Sequence, residues 1–219
     1  MPLNMVMLAS GRGSNVEAVA KSIEAGRLDG KISAVITNNA DAGVIEICQN
    51  HSLPCQVVAS KGLKRAEHEA RLLEAISRLN CDFVVLAGYM RILSGDFLSQ
   101  FPSPKEVKEK YFRVINIHPS LLPAFPGATA YADAFAAGVP ESGITVHLVD
   151  EQVDHGPILS QTRFKRHDGD TFEDFACRGL EIEHEILPFV LNKVAGNGNL
   201  LDLLKLPFQF SLSRQSEGV

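Results

Sequence analysis

Two hydrophobic periods take turns along this chain. Met5-Val6-Met7-Leu8 is a short continuous apolar run, and after Ala9-Ser10-Gly11-Arg12-Gly13-Ser14-Asn15 the apolar positions recur at helical spacing, Val16, Val19, Ala20 and Ile23, with Gly26 placed to stop the helix. The same switch repeats. Residues 32–37 predict a second strand, 42–51 a short helix, 56–58 a third strand and 63–79 a helix with Leu72, Leu73, Ile76 and Leu79 inward. Asp82-Phe83-Val84-Val85-Leu86-Ala87 is apolar without alternation, the mark of a strand covered on both faces.

A Pro- and Lys-containing segment, 101–113, leads to a strand over Val114-Ile115-Asn116-Ile117-His118. A loop holding Pro119, Pro123 and Pro126 ends at Gly127, and a small-residue helix is predicted over 129–137. Strands follow at 143–149 and 158–164, then a long helix at 171–193 that Pro188 should kink or restart. Strand–helix alternation of this kind predicts an α/β fold with a doubly wound, mostly parallel sheet and helices on both faces. The expected organisation is a single domain over 1–195 and a peripheral, weakly patterned tail over 196–219. Ligands of such sheets bind outside the carboxyl ends of the strands.

Composition narrows the class. With 219 residues, 45% of them apolar and 21% charged, the chain is long enough for one sizeable core. No apolar run reaches membrane-spanning length, and the N-terminus carries no basic stretch of a signal peptide. A net charge of −5 argues against a nucleic-acid partner, which needs a basic face. Cys48, Cys55, Cys81 and Cys177 form no C-x-x-C pair and read as buried small residues of a reducing cytoplasm. No metal-ligand spacing is visible. Oligomeric state, monomer or homodimer, is left open.

Three stretches carry candidate chemistry. Gly11-Arg12-Gly13-Ser14-Asn15 joins a strand to a helix, where free N–H groups and the positive end of the helix dipole suit a phosphate monoester. It lacks the G-K-[ST] of a Walker loop, and Val16 stands where a dinucleotide fingerprint needs its third small residue. The plainer reading is a turn capped by Ser14 or Asn15. In the second stretch, strand alternation puts Asn116 and His118 on one face, an amide that can donate to an oxyanion beside a proton-transfer group. The third, Asp150-Glu151-Gln152-Val153-Asp154-His155-Gly156-Pro157, offers three carboxylates. One of them near His118 would fix its tautomer and raise its pKa; the residues alone leave open which. His155 reads as a loop residue.

Together the pieces S-G-R-G-S-N at 10–15, A-G-Y-M-R-I-L at 87–93, N-I-H-P-S-L-L-P at 116–123 and V-D-H-G-P at 153–157 resemble the glycinamide ribonucleotide formyltransferase family over about residues 5–190. The resemblance implies transfer of a formyl group from 10-formyltetrahydrofolate to phosphoribosylglycinamide, with small-molecule partners only. It also implies roles. His118, Asn116 and Asp154 would form the catalytic trio; Gly13, Ser14, Asn15 and Glu183 would bind the ribonucleotide. Arg65, Met90, Arg91, Ile92 and Leu93 would bind the folate, together with Asn116 and the loop Asp150, Glu151, Gln152, Val153 and Asp154. The chain departs from the pattern at His155, where the family often has glycine, at Ala128-Thr129-Ala130-Tyr131, where many members carry histidines, and in the longer 101–113 segment. A related family, the formyltetrahydrofolate deformylases, shares the Asn–His–Asp logic but usually carries an extra N-terminal domain, whereas only four residues precede the first strand here.

Overall fold

The structure is a computed structural model describing residues 2–103, 111–196 and 208–209. The interior of the 101–113 segment and most of the tail lie outside the described residues. The predicted alternation is observed: β1 (Leu3–Ala9), α1 (Ser14–Glu24), β2 (Gly30–Thr37), α2 (Val44–Asn50), β3 (Cys55–Val57), α3 (Arg65–Ser77), β4 (Phe83–Leu86), α4 (Gly95–Leu98), β5 (Val114–His118), α5 (Ala130–Ala136), β6 (Glu141–Leu148), β7 (Ile158–Lys165), α6 (Phe172–Gly196) and β8 (Phe208–Gln209). The expected boundaries hold to within two residues for most elements. α4 was not anticipated; its single turn is too short to show a period. Pro188 sits inside a continuous α6, so the proline removes one backbone hydrogen bond without restarting the helix. Phe208–Gln209 pairs parallel to β7, so this part of the tail extends the sheet edge.

One sheet runs in the order β3-β2-β1-β4-β5-β6-β7-β8. The first five strands are parallel, while β6 is antiparallel to both β5 and β7. β1 has β2 on one side and β4 on the other, so the winding direction changes there, and a crevice opens at the strand ends. Backbone alternation sorts the core. Met5, Met7, Val85, Ile115, Val146 and Leu148 point to the layer built on α1, α2 and α6. Val6, Leu8, Val84, Leu86 and Val114 point to the layer of α3 and α4. Asn116 and His118 of β5 share the second face, and so do Thr145 and His147 of β6, because register places Asn116 opposite His147 and His118 opposite Thr145.

Phe175 anchors α6 to the sheet. It is fully buried, with ring contacts to Tyr131, Phe135 and Phe164 at 5.0–6.4 Å between centroids. Phe175→Ala is expected to cost about 3–5 kcal/mol of stability in urea denaturation; a loss below about 1 kcal/mol would mean this contact does not hold the helix.

Candidate active site

The β1–α1 turn enters the helix through Gly13, whose φ of 85° lies in the left-handed region. A Cβ there would come within 2.5 Å of the Val44 side chain. Gly13 is itself the N-cap, with no side-chain cap. The turn therefore does not take the plainer form expected of it, in which Ser14 or Asn15 closes the helix end. Asn15 instead donates from Nδ2 to Glu183 Oε2 at 2.6 Å, and its Oδ1 is buried without a partner. Tyr131 Oη donates to Glu183 Oε1, also at 2.6 Å. Burial raises the Glu183 carboxyl above its ordinary pKa, against the pull of the Tyr131 and Asn15 bonds and the Arg12 charge.

The centre is built around one carboxylate. Asp154 Oδ2 accepts from the Gly127 N–H at 2.7 Å and lies 3.4 Å from His118 Nδ1. Asp154 Oδ1 accepts from Asn116 Nδ2 at 3.4 Å and lies 3.7 Å from His147 Nε2. Burial pushes this acid upward, but the His147 ring, the Gly127 N–H and the charge interaction with His118 together hold it below the usual carboxylate range. Asp154 and Phe125, both at this centre, are non-glycine residues held at positive φ, 53° and 52°. Such strain persists only where surroundings over-determine it.

A carboxylate near His118 was expected to raise its pKa, and Asp154 does so, but the net direction is downward. Burial lowers it more than the Phe125 carbonyl and Asp154 raise it, and His147 adds to the lowering. Asn116 was expected to turn an N–H to the ligand. His147 Nδ1 lies 2.8 Å from the Leu148 carbonyl, which only accepts, so Nδ1 carries a proton. Asn116 Nδ2 meets the ring's Nε2 at 3.1 Å and Asp154 with its other hydrogen. Both amide hydrogens are thus engaged, and Oδ1 is the remaining polar atom. His118 is committed as well: its Nε2 donates to the Phe125 carbonyl at 2.8 Å.

These groups line one cavity of about 560 Å³, into which Gly13, Ser14, Asn15 and Glu183 also open. Met90, Arg91, Ile92 and Leu93 form another part of its wall, with Asp150, Glu151, Gln152 and Val153. Met90 and Ile92 are exposed apolar side chains on that wall. The β4–α4 segment is held by Glu69, which accepts from both Ser94 N at 2.8 Å and Ser94 Oγ at 2.5 Å. The Met90 N–H is already bonded to Ser10 Oγ at 2.8 Å, so it is not among the backbone groups free for a ligand. Arg65 is not brought to the cavity; it begins α3, exposed. His155 is an exposed loop residue bonded to Asp150 at 2.9 Å. His147 and Tyr131 are the residues that sequence reasoning did not assign to the site. Among the described residues no helix is long and apolar enough to cross a membrane, and no cluster of His, Cys, Asp or Glu could hold a metal ion.

A profile of the formyl transferase family matches residues 3–191. The phosphoribosylglycinamide formyltransferase of Escherichia coli strain K12 is 34% identical over 215 residues, 94% of this chain and 97% of that protein. The formyltetrahydrofolate deformylase of the same strain is 37% identical over 169 residues, 77% of this chain but only 56% of that protein. The crystal structure of glycinamide ribonucleotide transformylase 1 from Symbiobacterium toebii superposes with a TM-score of 0.82 at 36% identity, covering 89% of this chain and 88% of the other.

The electrostatics are directly testable. By NMR, His118 should titrate below the ordinary imidazole value of about 6.5, and Asp154→Asn should move it lower still by removing the anion that raises it. A wild-type midpoint above that value, or an upward move in the variant, would contradict the assignment.

Proposed function

This chain belongs to the formyl transferase family, and we propose from that premise that it transfers the formyl group of 10-formyltetrahydrofolate to the amine of phosphoribosylglycinamide, in purine biosynthesis. The observation that carries the choice of acceptor is the β1–α1 turn: an uncapped helix N-terminus opening into the same cavity as Asn116, His118 and Asp154. Water as the acceptor would leave that turn without a ligand. The near full-length match to the transferase, against half the length of the deformylase, supports the same choice.

In this reading Gly13, Ser14 and Asn15 hold the phosphate and Glu183 the ribose hydroxyls. Met90, Arg91, Ile92 and Leu93 with Asp150–Asp154 hold the folate. Arg65, exposed on α3, would meet only the distal, acidic part of that ligand. Residues 1–195 act as one catalytic unit, the ribonucleotide held by the β1–α1 turn and Glu183 of α6, and the folate by the segment after β4 and the loop after β6. Its place is the cytoplasm, in keeping with four free cysteines.

The reaction forms a bond from the amine nitrogen to the formyl carbon and breaks that carbon's bond to N10, moving one proton from the amine to N10. Asn116 and His118 are the groups to stabilise the intervening oxyanion. Their resting bonds set what must change first. His118 Nε2 has to exchange the Phe125 carbonyl for the reacting atoms. Asn116 Nδ2 has to exchange one of its resting contacts, to His147 or to Asp154, for the oxyanion. His147 can meet either face of the amide, as acceptor when neutral and as Nε2–H donor when protonated, without giving up the Leu148 carbonyl. Asp154 balances the positive charge as it forms. One oxyanion donor contributes about 3 kcal/mol, and holding two substrates together can contribute on the order of 7–11 kcal/mol.

Mixing the protein with 10-formyltetrahydrofolate should release tetrahydrofolate only when the ribonucleotide is present. Release without it would favour a hydrolase; no release in either case would end the enzymatic reading. Asn116→Ala should lower kcat about 100- to 1000-fold with the fold intact. His147→Leu should lower kcat about fivefold while leaving both KM values near wild type, since one net hydrogen bond is worth roughly 1 kcal/mol; a wild-type kcat would remove His147 from the mechanism.

A further inference from the structure

Tyr131 and Gly179 have no part in the reaction described above, yet they are built for each other. Gly179 lies in the middle of α6, where glycine is a poor helix residue. A Cβ at that position would collide with Cε1 and Oη of Tyr131. The missing side chain is what lets the Tyr131 ring lie against α6 and reach Glu183, one turn further along.

The contact matters because of what Glu183 must do. Its carboxyl is buried, with one donor on each oxygen, Asn15 on Oε2 and Tyr131 on Oε1. A carboxylate so placed keeps its second lone pairs free to accept from hydroxyl groups, whereas the protonated acid offers one donor and loses that symmetry. Burial already favours the protonated form. Tyr131 works against it with an O–H that burial and the neighbouring Glu183 charge keep protonated, so that it can only donate here. Asn15, the second donor, also turns an unpartnered buried Oδ1 next to the turn.

Resting on the substrate reading above, we propose that Tyr131, seated by Gly179, is a positioning residue that holds the Glu183 carboxyl in place as a double acceptor and thereby sets the selectivity of this site for a vicinal diol beside a phosphate. Tyr131 acts through Glu183, not on the reacting atoms. Its loss therefore shows in ribonucleotide binding rather than in turnover.

The test uses the full-length protein and two probes, ribose 5-phosphate and 2-deoxyribose 5-phosphate, as competitors of the ribonucleotide. The wild type should bind the deoxy sugar about tenfold more weakly, as a site built to bond a hydroxyl does. Tyr131→Phe should bring the two probes to within about threefold, raise the ribonucleotide KM about tenfold, and leave the folate KM and kcat within about threefold. Gly179→Ala, a favourable change for the helix itself, should reproduce that pattern by displacing the ring. A wild type that treats both probes alike overturns the proposal, as does a Tyr131→Phe protein with unchanged selectivity and unchanged ribonucleotide KM. If neither sugar phosphate competes at all, the substrate reading itself fails. Thermal melts of both variants separate these outcomes from misfolding.

Discussion

A single buried carboxylate decides how this site is put together. Asp154 lies on a loop, yet its two oxygens meet groups from three other places: Asn116 and His118 on β5, His147 on β6, and the Gly127 N–H at the end of the proline-rich loop. An isolated carboxylate in such surroundings would protonate. Here two N–H donors, Gly127 and Asn116, and two imidazole rings keep it charged, so each partner is held in place by the need to balance the same anion. The strained backbone at Asp154 and Phe125 is intelligible on that ground.

Much of this was readable in the sequence. The strand–helix alternation, the uniformly apolar β4 and the shared face of Asn116 and His118 follow from periods of two and 3.6. Gly13, Ser14, Asn15 and Glu183, and the loop of residues 150–154, grouped by resemblance, open into one cavity. What escaped depends on relations between distant segments. His147 is one histidine in an apolar strand until cross-strand register sets it opposite Asn116. The Tyr131–Glu183 bond joins residues 52 positions apart. The net downward displacement of His118 is a matter of burial, which no local pattern records and which outweighs the upward pull of Asp154.

The reversal of β6 has its own effect on the architecture. In a purely parallel sheet the connection after β5 would cross over a face and return. Here β5 and β6 are antiparallel neighbours, so two catalytic-face strands sit side by side with Asn116 and His118 directly opposite His147 and Thr145. The segment after β6 is then free to fold back across the site, which is how a loop residue comes to sit between two strand residues.

Ser10 links regions so far treated apart. Its hydroxyl donates to Asn38 at 2.6 Å and accepts from the Met90 N–H, while its own N–H bonds the Gly88 carbonyl. One small side chain just after β1 thus fastens the Met90–Leu93 wall of the cavity to the strand that feeds the β1–α1 turn. A ligand that tightens either region reduces the freedom left to the other, so two substrates can favour each other's binding before their reacting atoms meet, and by the same factor in both directions.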